Sequence, residues 1–340
     1  MTTQKSIRVA AIGLNHPHIY GMTRAVVNAG AELVALYAEE DDLAAAYQKA
    51  FPQVQRVADR RQILEDRSVD LVVSAIVPDV RAAIAIEVMR QGKDVMVDKP
   101  GVITLEQLAD VRRVQAETGR IFSVCFSERF EVRAAVRASE LVAAGAIGKV
   151  VQTIGIGPHS LGLNPRPDWF FQRRRYGGIL CDIGAHQCDQ FLHFTGSTQA
   201  EVVASHIANH ANPDKPELED FGEILLRGNG GTGYVRVDWY TPKGLGTWGD
   251  GRLTILGTEG YIELRKYVDI AGRPGIDHLF LVDQKQTRYV DCSDQELPYG
   301  RRLLDDIRNR TETAMPQAHC FLATELALKA EAQASRVVAA

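Results

Sequence analysis

Several things are missing from this sequence, and each absence narrows what it can be. No window holds eighteen consecutive apolar residues, so no membrane span is expected. The opening residues, MTTQKSIRV, lack the apolar core of a secretory leader and run straight into a strand pattern. There is no basic excess: 39 Lys and Arg stand against 43 Asp and Glu, a net charge of −4. Nucleic acid and anionic membrane are therefore poor partners. The five cysteines (Cys125, Cys181, Cys188, Cys292, Cys320) are widely spread and form no C-x-x-C pair. An odd count in a long chain favours free thiols in a reducing cytoplasm over a disulfide framework. No internal repeat or low-complexity tail is found.

Glycine is also missing where it is most expected. The segment IRVAAIGLNHPHIYG reads as a buried strand ending at Gly13, the tight turn of a dinucleotide-binding loop. G-x-G-x-x-G spacing would put further glycines at 15 and 18, but those positions hold Asn15 and His18. Either the loop is an altered nucleotide cradle or it binds no ligand. Backbone N–H groups at a helix N-terminus bind a pyrophosphate whatever the side chains are, which keeps Gly13, Leu14, Asn15, His16 and His18 as cofactor candidates. A metal site on the H-x-H pair needs at least one further ligand, which the sequence does not place nearby, and no metal is expected.

What is present suggests two domains, since 340 residues exceed the usual single core. Strand patterns IRVAAIG, AELVALYA, DLVVSAIV, DVMVDKP and IFSVCF alternate with helical stretches at 19–29, 42–50, 60–66, 80–91 and 104–118. This alternation predicts an α/β, doubly wound parallel sheet over residues 1–124. Gly92 and Gly119 stand where helices end, and Thr104 with Gln107 makes a capping box. After a helix at 131–144, residues 125–340 become β-rich with Gly-rich turns, predicting an α+β domain on an open, mainly antiparallel sheet. One helical interruption, GGILCDIGAHQCDQFLHFTG, and a closing helix at 317–338 complete the reading.

Three further features suggest chemistry. At the end of the second strand, residue 38 is alanine where a ribose-binding acid is expected, and Glu39 and Glu40 follow. Residues 37–42 contain four acids and no base, which favours NAD over NADP unless a cation arrives from elsewhere; a solvated charge run is the alternative. In VDKPG, Lys99 sits at the carboxyl end of a strand, suited to a substrate hydroxyl, because its charge favours an alkoxide over an alcohol. Asp182 and His186 are four apart, so on one helix they share a face and can work as an acid–base pair. Asp182-His186-Asp189 also has a metal-ligand spacing, and a metal enzyme using His16, His18, His186 and Asp182 is a competing reading.

These features occur together and in order. The chain resembles the glucose–fructose oxidoreductase / inositol dehydrogenase (Gfo/Idh/MocA) family, on the element Asp98-Lys99-Pro100 and on Gly177, Gly178, Asp182, Gly184, His186 and Asp189. The resemblance implies a Rossmann domain, an oligomerising sheet domain, and reversible NAD(P)-dependent oxidation of a secondary alcohol on a sugar, sugar acid or cyclic polyol (EC 1.1.1). It carries catalytic roles to Lys99, Asp182 and His186, and cofactor contacts to Glu39, Pro78, Asp98 and Lys99 as well as the glycine loop. Departures fall around the cofactor: the reduced glycine fingerprint, Val77-Pro78-Asp79 with Arg81 near a histidine's usual place, and Asp98 for the commoner Glu. Substrate contacts are expected from Lys99, Asp182, His186, His159, Asn164, Arg166 and Trp169, with a surface loop the alternative for the last four. Arg173 to Arg175 read as a solvated or subunit-contact cluster rather than an anion site, and Arg129, by resemblance to the family's recurrent arginine, as a brace of the domain junction. A cytoplasmic homodimer or homotetramer is expected. A non-catalytic nucleotide-binding sensor on the same fold is the runner-up.

Overall fold

A computed structural model describes residues 6–162 and 166–337. The chain forms two compact units: one runs to Cys125 and takes in Pro298–Phe321, the other comprises Phe126–Leu297 and the chain from Leu322 onward.

The first unit is built on six parallel strands, β1 (Arg8–Ile12), β2 (Glu32–Tyr37), β3 (Gln55–Arg56), β4 (Leu71–Ser74), β5 (Asp94–Asp98) and β6 (Phe122–Cys125), in the order β3-β2-β1-β4-β5-β6. Strands β4, β5 and β6 are buried throughout, which is why they read as unbroken apolar runs rather than alternating ones. The order reverses between β1 and β4, the switch point where ligands bind open α/β sheets. Helices His18–Val27, Asp41–Ala50, Arg61–Leu64, Pro78–Arg90 and Leu105–Thr118 connect the strands. Thr104 Oγ1 accepts from Gln107 N at 3.1 Å, and Gly92 and Gly119 take positive φ at their helix ends, as the sequence predicts. The two-residue strand β3 and the helix Tyr299–Asn309 were not predicted. That helix joins this unit through Gly300, where a Cβ would lie 1.9 Å from Ala25 O, and through a hydrogen bond between the Tyr299 and Ser123 hydroxyls at 2.8 Å.

The second unit carries a nine-stranded sheet of β7 (Val150–Pro158), β8 (Ala200–Ala208), β9 (Phe221–Gly228), β10 (Thr232–Asp238), β11 (Arg252–Gly257), β12 (Gly260–Arg265), β13 (His278–Asp283), β14 (Thr287–Val290) and β15 (Ser335–Val337). Its order is β14-β13-β12-β11-β7-β10-β9-β8-β15, antiparallel except for β7 with β10 and β8 with β15. The closing helix therefore stops at Gln333, short of the predicted 338: Ser335–Val337 adds instead to the edge of β8 and satisfies its backbone. One sheet face packs under Arg133–Ala143 and Gly184–Thr195. The latter approaches β7 closely because Gly155 and Gly157 have no side chains; added Cβ atoms there would meet Gln187 Oε1 at 2.3 Å and Ile183 Cγ2 at 2.9 Å. The other face shows Ile154, Ile156, Leu225, Tyr234, Leu256 and Tyr261 half-buried or exposed, interleaved with charges.

Gly177 and Gly178 have a packing explanation. The short helix Ile179–Asp182 begins under two buried acids: Glu219 Oε2 accepts from Ile179 N at 2.9 Å, and Glu331 Oε2 from Leu180 N at 3.0 Å. Gly178, at φ +98°, leaves room for this; its Cβ would lie 2.1 Å from Glu331 Cδ. Arg173 donates to both acids, at 2.8 and 2.6 Å. Burial, reinforced by the Glu219 charge and opposed by Arg173, pushes the Glu331 carboxyl up to about 8.

Gly178→Ala is expected to lower the unfolding free energy by about 2–3 kcal/mol. Gly184→Ala, whose methyl would meet nothing closer than 3.6 Å, should change it by less than about 1 kcal/mol; urea titrations of both variants check the contrast. Because Glu331 holds its proton to about 8 in the fold against an ordinary 4.5, its neutral form contributes stability below the lower value that is lost as pH rises through the higher. Glu331→Gln should flatten the stability profile across that interval, and a profile as steep as wild type would contradict the assignment.

Candidate active site

The carboxyl edge of the first unit's sheet collects the ends of β1, β2, β4 and β5. Gly13 follows β1 at φ +77°, and a Cβ would sit 2.4 Å from Ile76 Cβ, so the position admits only glycine. Leu14 is buried beside it. Pro17 offers helix His18–Val27 no side-chain cap, and the first amides turn to the loop instead: His18 N donates to His16 Nδ1 at 3.3 Å, Ile19 N to His16 O at 3.1 Å and Tyr20 N to Pro17 O at 3.2 Å. Asn15 Nδ2 donates to Glu40 Oε1 at 2.6 Å, so Glu40 is the acid tied to the loop, whereas Glu39 is exposed. A base also reaches the end of β2: Arg56 donates to Asp41 Oδ1 at 2.7 Å and to Ala38 O at 2.9 Å, in a concavity shared with Tyr37 and Glu39.

Pro78 opens the helix after β4 at its first turn, where its missing N–H costs nothing. Arg81 is turned inward and is 1% exposed. It donates to Ile76 O, Asp98 O and Pro100 O at 2.6–3.0 Å, pinning the ends of β4 and β5 together. Asp98 is also 1% exposed, and Lys99 beside it is buried. The two histidines converge on that carboxylate: His18 Nδ1 lies 2.9 Å from Oδ1, and His16 Nδ1 3.2 Å from Oδ2. Burial opposes ionisation of Asp98, but His18, His16 and Arg81 overcome it and hold the carboxyl well below its usual range. The sequence reading placed no third polar group near the H-x-H pair; β5 supplies one.

In the second unit His186 is buried, edge-on to Phe126 at 6.4 Å. Asp182 and His186 do not share one helix. Asp182 ends Ile179–Asp182 and His186 belongs to Gly184–Thr195, because the joint tightens: His186 N bonds Ile183 O at 3.2 Å rather than the carbonyl four residues back. Asp189 is no metal-ligand candidate here, since Arg129 engages both its oxygens at 2.7 Å in a buried bidentate pair. His159 packs edge-on to Trp239 and Trp248 at 5.4 and 4.7 Å. Arg166 lies over Phe170 and Trp239, and burial lowers its pKa against the opposing charge of Asp182. Trp169 is half-buried on the turn Asp168–Phe171. Asn164 lies outside the described residues.

Sequence reasoning missed a buried polar cluster behind His186. Lys266 Nζ donates to Glu128 Oε2 at 2.5 Å and to Gln190 Oε1 at 2.8 Å. Gln187 Nε2 donates to Glu128 at 2.8 Å, and Gln190 Nε2 to His186 O at 3.0 Å. Burial raises the Glu128 carboxyl, but the Lys266 charge, with smaller help from His186 and His159, holds it far below the usual range. No local signal marks Lys266; it follows the last residue of β12 in ELRK like any surface lysine.

Comparison with known proteins places the fold. Residues 7–126 match the oxidoreductase family with an NAD-binding Rossmann fold, and residues 135–263 match the GFO/IDH/MocA C-terminal domain. The chain belongs to the Gfo/Idh/MocA oxidoreductase family. The crystal structure of a provisionally assigned oxidoreductase from Erwinia carotovora atroseptica SCRI1043 superposes with a TM-score of 0.95 at 49% identity, over 98% of this chain and 100% of that one. The scyllo-inositol 2-dehydrogenase (NAD(+)) of Bacillus subtilis is 25% identical over 308 residues, 87% of this chain and 85% of that protein. Levoglucosan dehydrogenase, solved with NADH and levoglucosan, shares the fold at a TM-score of 0.75 and 19% identity, over 96% of this chain and 97% of that one. This Gfo/Idh/MocA member thus keeps the family's NAD-binding Rossmann fold although the second and third glycines of its loop are replaced.

Removing one partner of the buried Lys266–Glu128 pair should leave an uncompensated charge. Lys266→Met is expected to cost about 3–5 kcal/mol of stability, and Lys266→Met with Glu128→Gln to restore much of it. A double variant as unstable as the sum of the singles, measured by chemical unfolding, would show that the pair is not coupled.

Proposed function

We propose that this protein is a nicotinamide-dependent dehydrogenase or reductase acting on a CH–OH group of a sugar, sugar acid or cyclic polyol. The observation that carries this reading is a buried lysine, Lys99, at the carboxyl edge of the Rossmann sheet, in a chain that also retains a buried histidine, His186, in the family's D-x-x-x-H element. A bound nicotinamide supplies the hydride acceptor or donor. Lys99 holds the reacting oxygen and stabilises negative charge as its proton leaves. His186 takes that proton and Asp182 orients or supports it. Gln190, hydrogen-bonded to the His186 carbonyl, and the Glu128–Lys266 pair behind it hold the imidazole's helix in place.

The dinucleotide would be held in the first unit by Gly13, Leu14, Asn15, His16 and His18 at the helix start, with Pro78, Asp98 and Lys99 beyond the switch point. The acids at the end of β2 favour NAD, because Arg56 is engaged by Asp41 and the Ala38 carbonyl rather than presented to a 2′-phosphate. His159, Arg166 and Trp169 offer stacking and hydrogen-bonding surface to a polyol; aromatic faces suit the apolar face of a sugar ring. The half-exposed sheet face, with Leu225, Leu256 and Tyr261, would pair in a homodimer or homotetramer. The cytoplasm suits five free, buried cysteines. The relatives' substrates, scyllo-inositol and levoglucosan, point to cyclic polyols and anhydrosugars as the first panel to assay.

With a turned-over polyol, Lys99→Ala and His186→Ala should each reduce kcat by about a hundredfold or more while NADH binding survives. Turnover retained in both would remove the assigned roles, and cofactor binding with no turnover across the panel would favour a sensor. Arg56→Ala should leave NAD affinity within about threefold; a loss of about tenfold or more in NADP affinity, near 1.4 kcal/mol, would mark Arg56 as a phosphate ligand instead.

A further inference from the structure

The cluster of His16, His18 and Asp98 does more than brace the loop. The donor atoms of all three lie within 4.8 Å of one another, and all belong to the first unit. The hydrogen bonding of the Asp98 carboxylate is incomplete in an informative way. His16 Nδ1 accepts the His18 backbone N–H at 3.3 Å, so it acts there as an acceptor. The same atom faces Asp98 Oδ2, also an acceptor, at 3.2 Å. Oδ2 itself receives no hydrogen bond among the described residues, although the Asp98 side chain is 1% exposed. A buried carboxylate oxygen without a donor is costly, and two lone pairs aimed at each other repel unless a proton or a cation lies between them.

From this juxtaposition we infer that His16, His18 and Asp98 form a binding site for a divalent first-row transition metal. Two imidazole nitrogens and a carboxylate that presents a different oxygen to each of them make a mixed N/N/O donor set. Such a set suits Zn, Co, Ni, Fe or Mn and is a poor match for Mg or Ca, which prefer oxygen alone. Three protein ligands leave positions open to a further group. Two surroundings shape the affinity. Asp98 Oδ1 also accepts the Lys99 backbone N–H at 2.8 Å, which fixes the carboxylate. Arg81 Nη2, 3.8 Å from Oδ2, opposes a second cation, although that nitrogen also donates to Ile76 O. The site is thus expected to bind more weakly than a structural zinc centre. The replacement of glycine at position 18 and the flanking Pro17 also acquire a reason, because a ligand-bearing loop needs side chains and a stiff turn where a plain phosphate cradle needs neither.

The test is calorimetric titration of the full-length, chelator-stripped protein with Zn²⁺ and with Co²⁺, together with the visible absorption of the Co²⁺ form. One equivalent is expected, with cobalt d–d bands characteristic of nitrogen and oxygen ligands. Asp98→Asn should weaken binding at least tenfold, and His16→Asn with His18→Asn should abolish it, each checked for native circular dichroism and melting. If Asp98→Asn fails to fold, the histidine variant alone decides. Uptake well below one equivalent, or uptake that the histidine variant leaves unchanged, overturns the site. NADH binding measured on the metal-free protein keeps this inference separate from the proposed dehydrogenase activity. A protein that binds NADH yet takes up no metal removes the site alone, and one that takes up metal at these residues supports the site whether or not it binds NADH.

Discussion

The carboxyl edge of the first sheet is organised around one buried negative charge. A carboxylate at the exposure of Asp98 is tolerable only when surrounding groups replace its lost hydration. The replacements come from three directions: His18 from the loop after β1, the Lys99 amide from its own strand, and the Arg81 guanidinium, 3.8 Å from Oδ2, from the helix after β4. Each recruit fixes a piece of backbone. Arg81, drawn in by the charge, uses its remaining donors on carbonyls of two strand ends, and the histidines set the path of the loop that follows Gly13. In the G-x-G-x-x-G pattern, bare backbone gathers round a phosphate. Here side chains gather round an aspartate, and only Gly13 is left of the three glycines.

Much of this architecture was legible in the residues, and the reasons differ by element. Strands β1, β4, β5 and β6 announced themselves because burial on both faces favours unbroken apolar runs. Helix ends at Gly92 and Gly119 were legible because a left-handed residue has few alternatives to glycine. The helix Tyr299–Asn309 was missed although its apolar positions recur with helical spacing; a run dense in arginine and aspartate hides a narrow stripe. The end of Gln317–Gln333 was misplaced because nothing local distinguishes a final helical turn from an edge strand whose partner lies more than a hundred residues away.

The site was legible by residue type and much less so by arrangement. Lys99 and His186 could be singled out, and both are buried. What they are packed among could not be read, because long-range partners leave no trace in spacing. Asp98 meeting His16 and His18, Asp189 meeting Arg129, and Lys266 meeting Glu128 each join positions at least sixty residues apart. The Asp182–His186 interval differs in kind: the single helix read there is divided by a tightened turn at Ile183. Buried polar clusters of this kind stabilise little on balance, yet each fully matched set penalises every alternative packing that leaves one member unmatched.

The bare backbone of β7 has a consequence for how such a protein can diversify. Where Gly155 and Gly157 lie beneath the helix Gly184–Thr195, there is no side chain to trim, swap or repack, only a contact distance. Any added methyl group there meets Gln187 or Ile183, so a change at either glycine requires those side chains to move with it. The seating of that helix is thus coupled to Gly155 and Gly157, and exchange of side chains is freer along segments that carry them.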